Sequence, residues 1–317
     1  MPVAIEYLTS LGTDTMDRVR LVVATHWHDD HIQGLASLLR KSPNAKFACS
    51  TAMAHEQFVM LVEAARANIQ GSSGVEEFAA IYDLIERGGA APRWALQDRM
   101  LLELSGSGRS FPIKIKALSP SDKTVAIALA GIAALMPRIG SPQQRIQNVT
   151  PNESSIVLWI QAGQRRALLG ADLEHTHDPT SGWLGILASH SDADPAFVFK
   201  IPHHGSENAD CPTVWETMLT DNPYAVVTPF SSELPAGSDL RRLARRTVNL
   251  FCTSDGPGKP PRRDPIVEKT AKHVTTKRRV LQGNPGHVRI RWSLNHLESS
   301  PTVELFNGAR HVKAESI

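Results

Sequence analysis

A run of β-branched and apolar residues over 18–25, Arg-Val-Arg-Leu-Val-Val-Ala-Thr, breaks off directly into His26-Trp27-His28-Asp29-Asp30-His31. Such a run predicts a buried strand, so the cluster sits on the loop at that strand's C-terminal end. Metal-binding side chains are crowded here: His26, His28, Asp30 and His31. His26 and His28, at i and i+2 on an extended segment, project the same way and can clamp one ion. The spacing over 32–40 predicts a helix with Ile32, Leu35, Leu38 and Leu39 on one face. Its start turns the chain, so that Asp30 and His31 can face a second ion. Imidazole and carboxylate donors suit zinc, manganese or iron. A water shared by two cations ionises near neutral pH and becomes a nucleophile.

Two more predicted strand ends carry residues of the same type. Strands over 155–161 and 166–169, joined by a turn at Ala162-Gly163-Gln164, lead into Gly170-Ala171-Asp172. An apolar strand over 196–201 ends at Pro202-His203-His204-Gly205-Ser206. Asp172 alone would serve as a helix N-cap, and His203-His204 as a polar loop start; their places at strand ends favour ligands. Further strands are expected over 46–50, 111–118 and 224–228. Helices are expected over 51–68, 75–87, 121–136, 182–189, 212–219 and 239–246. Gly88-Gly89 ends the second of these and Pro137 the third. Residues 140–151 read as a polar loop and 254–264 as a flexible one, before a late hairpin over 287–292 and 302–306. This mixed order predicts an α/β (α+β) fold with sheets covered by helices.

Composition narrows the function classes. With 41 % hydrophobic and 21 % charged residues the chain can bury a sizeable core. A net charge of +2 is too mild to argue nucleic-acid binding from bulk charge. The scattered Cys49, Cys211 and Cys252 form no CxxC pair, which argues against a cysteine zinc site or disulfides and for reduced thiols of a cytoplasmic protein. No signal peptide is read at the start, and the most apolar stretch, 125–136, is too short to span a bilayer. Arg241-Arg242, Arg245-Arg246, Arg262-Arg263 and Lys277-Arg278-Arg279 could track phosphates, although such clusters are more often solvated faces. His55 reads as structural or exposed. His175 and His177 read as exposed loop histidines more than as partners of ligands. Lys200 either neutralises an anionic substrate or is a strand-end surface lysine.

The first cluster resembles the HxHxDH signature of the metallo-β-lactamase superfamily. Asn152-Glu153-Ser154-Ser155, Leu168-Leu169-Gly170-Ala171-Asp172 and Lys200-Ile201-Pro202-His203-His204-Gly205-Ser206 are similar to the lactamase-like domain of DNA-uptake competence proteins and their soluble relatives. The resemblance covers about residues 18–255. It implies an αββα sandwich over 1–255, with 256–317 a C-terminal loop and strand segment completing or extending the same domain. It implies two divalent ions, zinc or manganese. His26 and His28 would hold the first, Asp30 and His31 the second, and Asp172 would bridge. One of His203 and His204, with His203 favoured, would complete the second site. Asn152 stands where many members carry a further histidine, so the first site would be open or weak. Family domains also begin with a strand pair for which little room precedes residue 26; either the start is truncated or a protein partner or second copy completes the sheet. After 224–228, where the family often has a histidine, Pro229-Phe230-Ser231-Ser232 follow. The implied activity is a metal-dependent hydrolase using metal-bound hydroxide on a phosphodiester, nucleic acid included, or another anionic ester, with Asp30, His203 and Lys200 catalytic. The alternative is a metal-binding subunit of a larger assembly.

Overall fold

Strand β1 (Leu21–Ala24) alternates its burial along the chain, and each face meets a different layer. Val22 and Ala24 pack toward helices, while Leu21 and Val23 pack toward a second sheet. Covered on both sides, it reads as a continuous apolar run and not as an alternating one. In the computed structural model the described residues are 2–12, 14–54, 56, 58–60, 62, 73–88, 92–105, 111–135, 151–190, 194–230, 234–254, 286–294 and 299–314. β1 pairs in parallel with β2 (Lys46–Ser50), and β2 with β3 (Arg93–Ala95), making a three-stranded sheet.

The larger sheet has eight strands. It contains β4 (Arg99–Leu104), β5 (Ile113–Ala117), β6 (Leu158–Ala162), β7 (Arg165–Leu169), β8 (Ala196–Lys200), β9 (Leu219–Val227), β10 (Leu250–Cys252) and β13 (Arg310–His311), in the order β13-β10-β9-β8-β7-β6-β5-β4. β4 to β7 run antiparallel as meanders, whereas β7, β8, β9 and β10 are parallel. Helices α3 (Leu35–Lys41) and α4 (Ser73–Gly88) cover the small sheet around Phe47, Phe58, Phe78 and Ile81. Between the sheets lie Ala48, Ala95, Leu101, Ala117, Ile156 and Leu158. On the far face, α6 (Gly182–Ser189), α7 (Pro212–Thr217) and α8 (Gly237–Ala244) close over Trp159, Leu168, Trp183, Phe199 and Trp215. The result is an αββα sandwich. Among the described residues no helix is long and apolar enough to cross a membrane.

β11 (His287–Arg291) and β12 (Thr302–Phe306) form an antiparallel hairpin. Its Ile290 and Trp292 pack on Ala167, Phe197, Val198 and Tyr224, on the same face of the large sheet as the small sheet. The N-terminal helix α1 (Val3–Ser10) leans on this hairpin through Tyr7, whose ring lies 4.6 Å from that of His287.

Several local expectations need correction. The helix expected over 32–40 is two pieces, α2 (Asp29–Ile32) and α3, separated at Gly34, whose φ is +89°. A Cβ there would stand 2.7 Å from Pro2 Cγ, so the break requires glycine. Thr51–Ala54 is a 3₁₀ turn and not the start of an α-helix. α7 stops at Thr217, and β9 begins at Leu219, before the expected 224, because Pro223 masks the strand pattern. β3, β10 and β13 are only two or three residues long and carry no readable period. α5 (Asp122–Leu135) agrees with its sequence pattern. His55, most of the 140–151 loop, nearly all of the 254–264 loop, Ser231-Ser232, Arg262-Arg263 and Lys277-Arg278-Arg279 lie outside the described residues.

Candidate metal centre

The C-terminal ends of β1, β7, β8 and β9 open at one edge of the sandwich, the usual place for a site in an open α/β sheet. Two close approaches bring them together. Gly170, just past β7, donates its N–H to Lys200 O at 3.0 Å. A Cβ at Gly170 would stand 2.9 Å from Pro202 Cβ, so only glycine lets these strand ends meet. His203 N then donates to Ala171 O at 3.0 Å. Ala171, His203 and His204 take φ of +47°, +41° and +54°, a left-handed conformation uncommon for non-glycine residues and typical of functional loops.

Two groups of ligand atoms converge on this edge, each group within 4.8 Å: His26, His28 and Asp172, and Asp30, His31, Asp172 and His204. Asp172 belongs to both. Its Oδ2 lies 3.1 Å from His31 Nε2, 3.5 Å from His204 Nε2 and 3.8 Å from His26 Nε2. Asp30 Oδ2 is 3.3 Å from His204 Nε2 and 3.5 Å from His31 Nε2. Ligands at about 2.1 Å from a tetrahedral ion are separated by about 3.4 Å, which these spacings match. His26 Nε2 and Asp172 Oδ1 are moreover buried without a hydrogen-bond partner. Buried polar atoms are ordinarily paired, and here an ion would pair them. The residues fit a divalent metal.

The electrostatics agree. Burial pushes His26 down to about 3, so it is neutral and able to ligate at physiological pH. Burial and neighbouring histidines, His203 among them, also lower His28, against the pull of Asp30 and Asp172. Burial opposes charge on Asp172 and Asp30, yet the facing histidines outweigh it and hold both carboxyls below their ordinary value. Burial likewise opposes charge on His204, but Asp172 and Asp30 raise it to about 9. Without metal, a proton on His204 therefore balances the carboxylates.

Of the adjacent pair, the structure places His204 in the second group and not the favoured His203. His204 Nδ1 donates to Thr228 O at 2.8 Å, which aims Nε2 at Asp30 and Asp172. Both ring nitrogens of His203 are engaged elsewhere. Nδ1 donates to Asn208 Oδ1 at 3.1 Å, with Glu174 Oε1 at 3.4 Å, and Nε2 lies 3.3 Å from Asn152 Nδ2. Asn152 also donates to Glu174 Oε1 at 2.8 Å, so it braces His203 and stands in neither ligand group.

Lys200 donates from Nζ to Ile201 O at 2.8 Å. Burial brings it down to about 8 against the pull of Asp172. Its charge thus acts on the site through space and is tied to its own loop. His177 is exposed and His175 half-buried, with ring centroids 6.1 Å apart and neither in a ligand group. Phe230, just past β9, lies over His204 at 5.0 Å between centroids and is 46 % exposed at the rim. Sequence reading missed Glu174, Asn208 and the Thr228 carbonyl. No local pattern marks them, because each acts by reaching across from another loop.

Residues 16–108 match the family model of the metallo-beta-lactamase superfamily. That stretch contains β1 to β4 and the whole His26–His31 cluster. A search of curated proteins finds no match. The fold is consistent with a metallo-β-lactamase-like α/β sandwich, and its His/Asp cluster could hold divalent metal. The segments contributing Asp172 and His204 lie beyond the matched residues, and the structure brings them to the cluster.

Proposed function

We propose that this chain is a metal-dependent hydrolase of phosphodiesters or related anionic esters, with its ligands divided as His26, His28 and Asp172, and Asp30, His31, Asp172 and His204. The observation carrying this reading is Asp172, one 2 % exposed carboxylate shared by two convergent ligand groups. Asp172 would contribute a ligand atom to each group when the ions are bound. When bound by these residues, two zinc or manganese ions would supply Lewis acidity and lower the pKa of a bound water. The chain's own residues do the rest. Thr228 O orients His204. Asn208, Glu174 and Asn152 hold His203 beside His28 of the first group. Asp30, on the second group, keeps His204 aimed inward. Lys200 contributes positive potential near Asp172, which supports an anionic substrate. The likeness of the Lys200–Ser206 motif to competence-type relatives supports placement near that branch. The buried free thiols suit a reducing, cytoplasmic setting.

The test is metal analysis of purified protein combined with hydrolysis of bis(p-nitrophenyl) phosphate, single-stranded DNA, a carboxylic ester and a thioester. Wild type is expected to hold metal stoichiometrically and to cleave a phosphodiester, and Asp30→Ala to lose at least two orders of magnitude in rate. Protein without bound metal, or an equally active Asp30→Ala, refutes the assignment. Cleavage of the carboxylic ester or thioester alone refutes the phosphodiester preference.

A further inference from the structure

The basic pair Arg241-Arg242 divides its labour. Arg241 is exposed on α8, whereas Arg242 turns inward and commits its guanidinium to the protein. Arg242 Nη2 donates to Gly205 O at 2.6 Å and to Asp239 Oδ1 at 3.1 Å. Nη1 lies 2.7 Å from Asp210 Oδ2. Those acids are themselves fixed: Asp210 Oδ1 accepts from Trp215 Nε1 at 3.0 Å, and Asp239 Oδ2 from Ala236 N at 2.9 Å. Two anchored carboxylates therefore hold one cation against one carbonyl. Charge-assisted bonds of this kind are roughly twice as strong as neutral ones.

That carbonyl belongs to the residue after His204. The loop runs through φ of +41°, +54° and +80° at His203, His204 and Gly205. Two of these are non-glycine residues, for which left-handed backbone is unfavourable. Such a turn persists only when its surroundings over-determine it. Thr228 O fixes the imidazole from one side; the carbonyl on the other side meets Arg242. Leu243, beside Arg242 on α8, also packs where a Cβ on Gly205 would stand, 3.1 Å away.

We infer that Arg242 is a positioning residue for the second metal group. Its bond to the Gly205 carbonyl holds the left-handed turn that aims His204 Nε2 at Asp30 and Asp172, and so sets how tightly that group binds its ion. This rests on the metal reading above. It also gives Arg242 an internal role in place of a phosphate track.

The experiment is a titration of dialysed protein with Co(II), followed by calorimetry and the visible d–d bands, on wild type, Arg242→Gln, Arg242→Ala and Arg241→Ala. The same titration in a His28→Ala background isolates the second group. Removing an outer partner of a metal ligand costs roughly 10- to 100-fold in affinity, so Arg242→Gln and Arg242→Ala are expected to weaken the second ion by that factor. The first ion and Arg241→Ala should stay within twofold of wild type. Altered d–d bands at the second group, in protein whose circular dichroism is unchanged, separate misaimed His204 from general loss of structure. If Arg242→Ala does not fold, Arg242→Gln carries the comparison. Wild-type affinity for both ions in a folded Arg242 variant overturns the inference while leaving the metal reading standing. A wild type that binds no Co(II) overturns both.

Discussion

Replacing Asp172 by Asn would remove the charge shared by both ligand groups while keeping its size. In metal-free protein the first effect falls on His204, which Asp172 and Asp30 raise from 6.5 to about 9 against the cost of burial. At about 1.4 kcal/mol per pH unit that rise corresponds to roughly 3 kcal/mol. Asp172 is the larger contributor, so Asp172→Asn should lower the His204 pKa by more than one unit, read from imidazole proton shifts in NMR. The sign of the stability effect follows from linkage. A raised His204 stabilises the wild type fully below pH 6.5, and that stability is lost as pH rises through about 9. The depressed Asp172 carboxyl stabilises above its ordinary value near 3.8 and loses this as pH falls below it. Urea unfolding of metal-free protein should thus show wild type ahead of Asp172→Asn by about 2 kcal/mol at pH 6, narrowing toward pH 9. Relief of the buried carboxylate's desolvation shrinks the absolute gap but not this slope. With metal present, the variant should lose tight binding of both ions. A His204 pKa still near 9, or a gap that widens with pH, would refute the argument.

Two other outcomes follow from the same geometry. Because a metal must displace the His204 proton, calorimetry in buffers of different ionisation enthalpy should show proton release on binding the second ion at pH 7.5, with affinity rising about tenfold per pH unit until about pH 9; pH-independent affinity contradicts it. Gly205→Ala would place a Cβ 3.0 Å from Val227 Cγ2 at a φ of +80°. It should cost about 1–3 kcal/mol in chemical denaturation and weaken the second ion, and a variant as stable as wild type would show that the turn is not confined.

Much of the site was readable because metal chemistry uses few residue types and the fold delivers them at strand ends. The 18–25 run, the β6–β7 turn and the 196–201 run each located a strand end, and with them the candidate ligands His26, His28, Asp30, His31, Asp172 and His204 that the structure gathers. The large elements were legible for the same reason: α4 and α5 are long enough to show a period. Two- and three-residue strands such as β10 and β13 are not, since their pairing partners alone define them.

The sequence by itself determined the chemistry on offer: which side chains could bind metal, and that three strand ends would present them. It could not choose between His203 and His204, because neighbours in sequence share every local pattern. A left-handed turn made that choice, giving His204 to Asp30 and Asp172 and committing both nitrogens of His203 to Asn208 and Asn152. Nor could sequence tell that Lys200 binds its own loop, that Arg242 faces inward while Arg241 faces out, or that β11–β12 packs on Ala167, Phe197 and Val198 of the large sheet. Each of these depends on contacts between segments distant in the chain, and only packing brings those segments together.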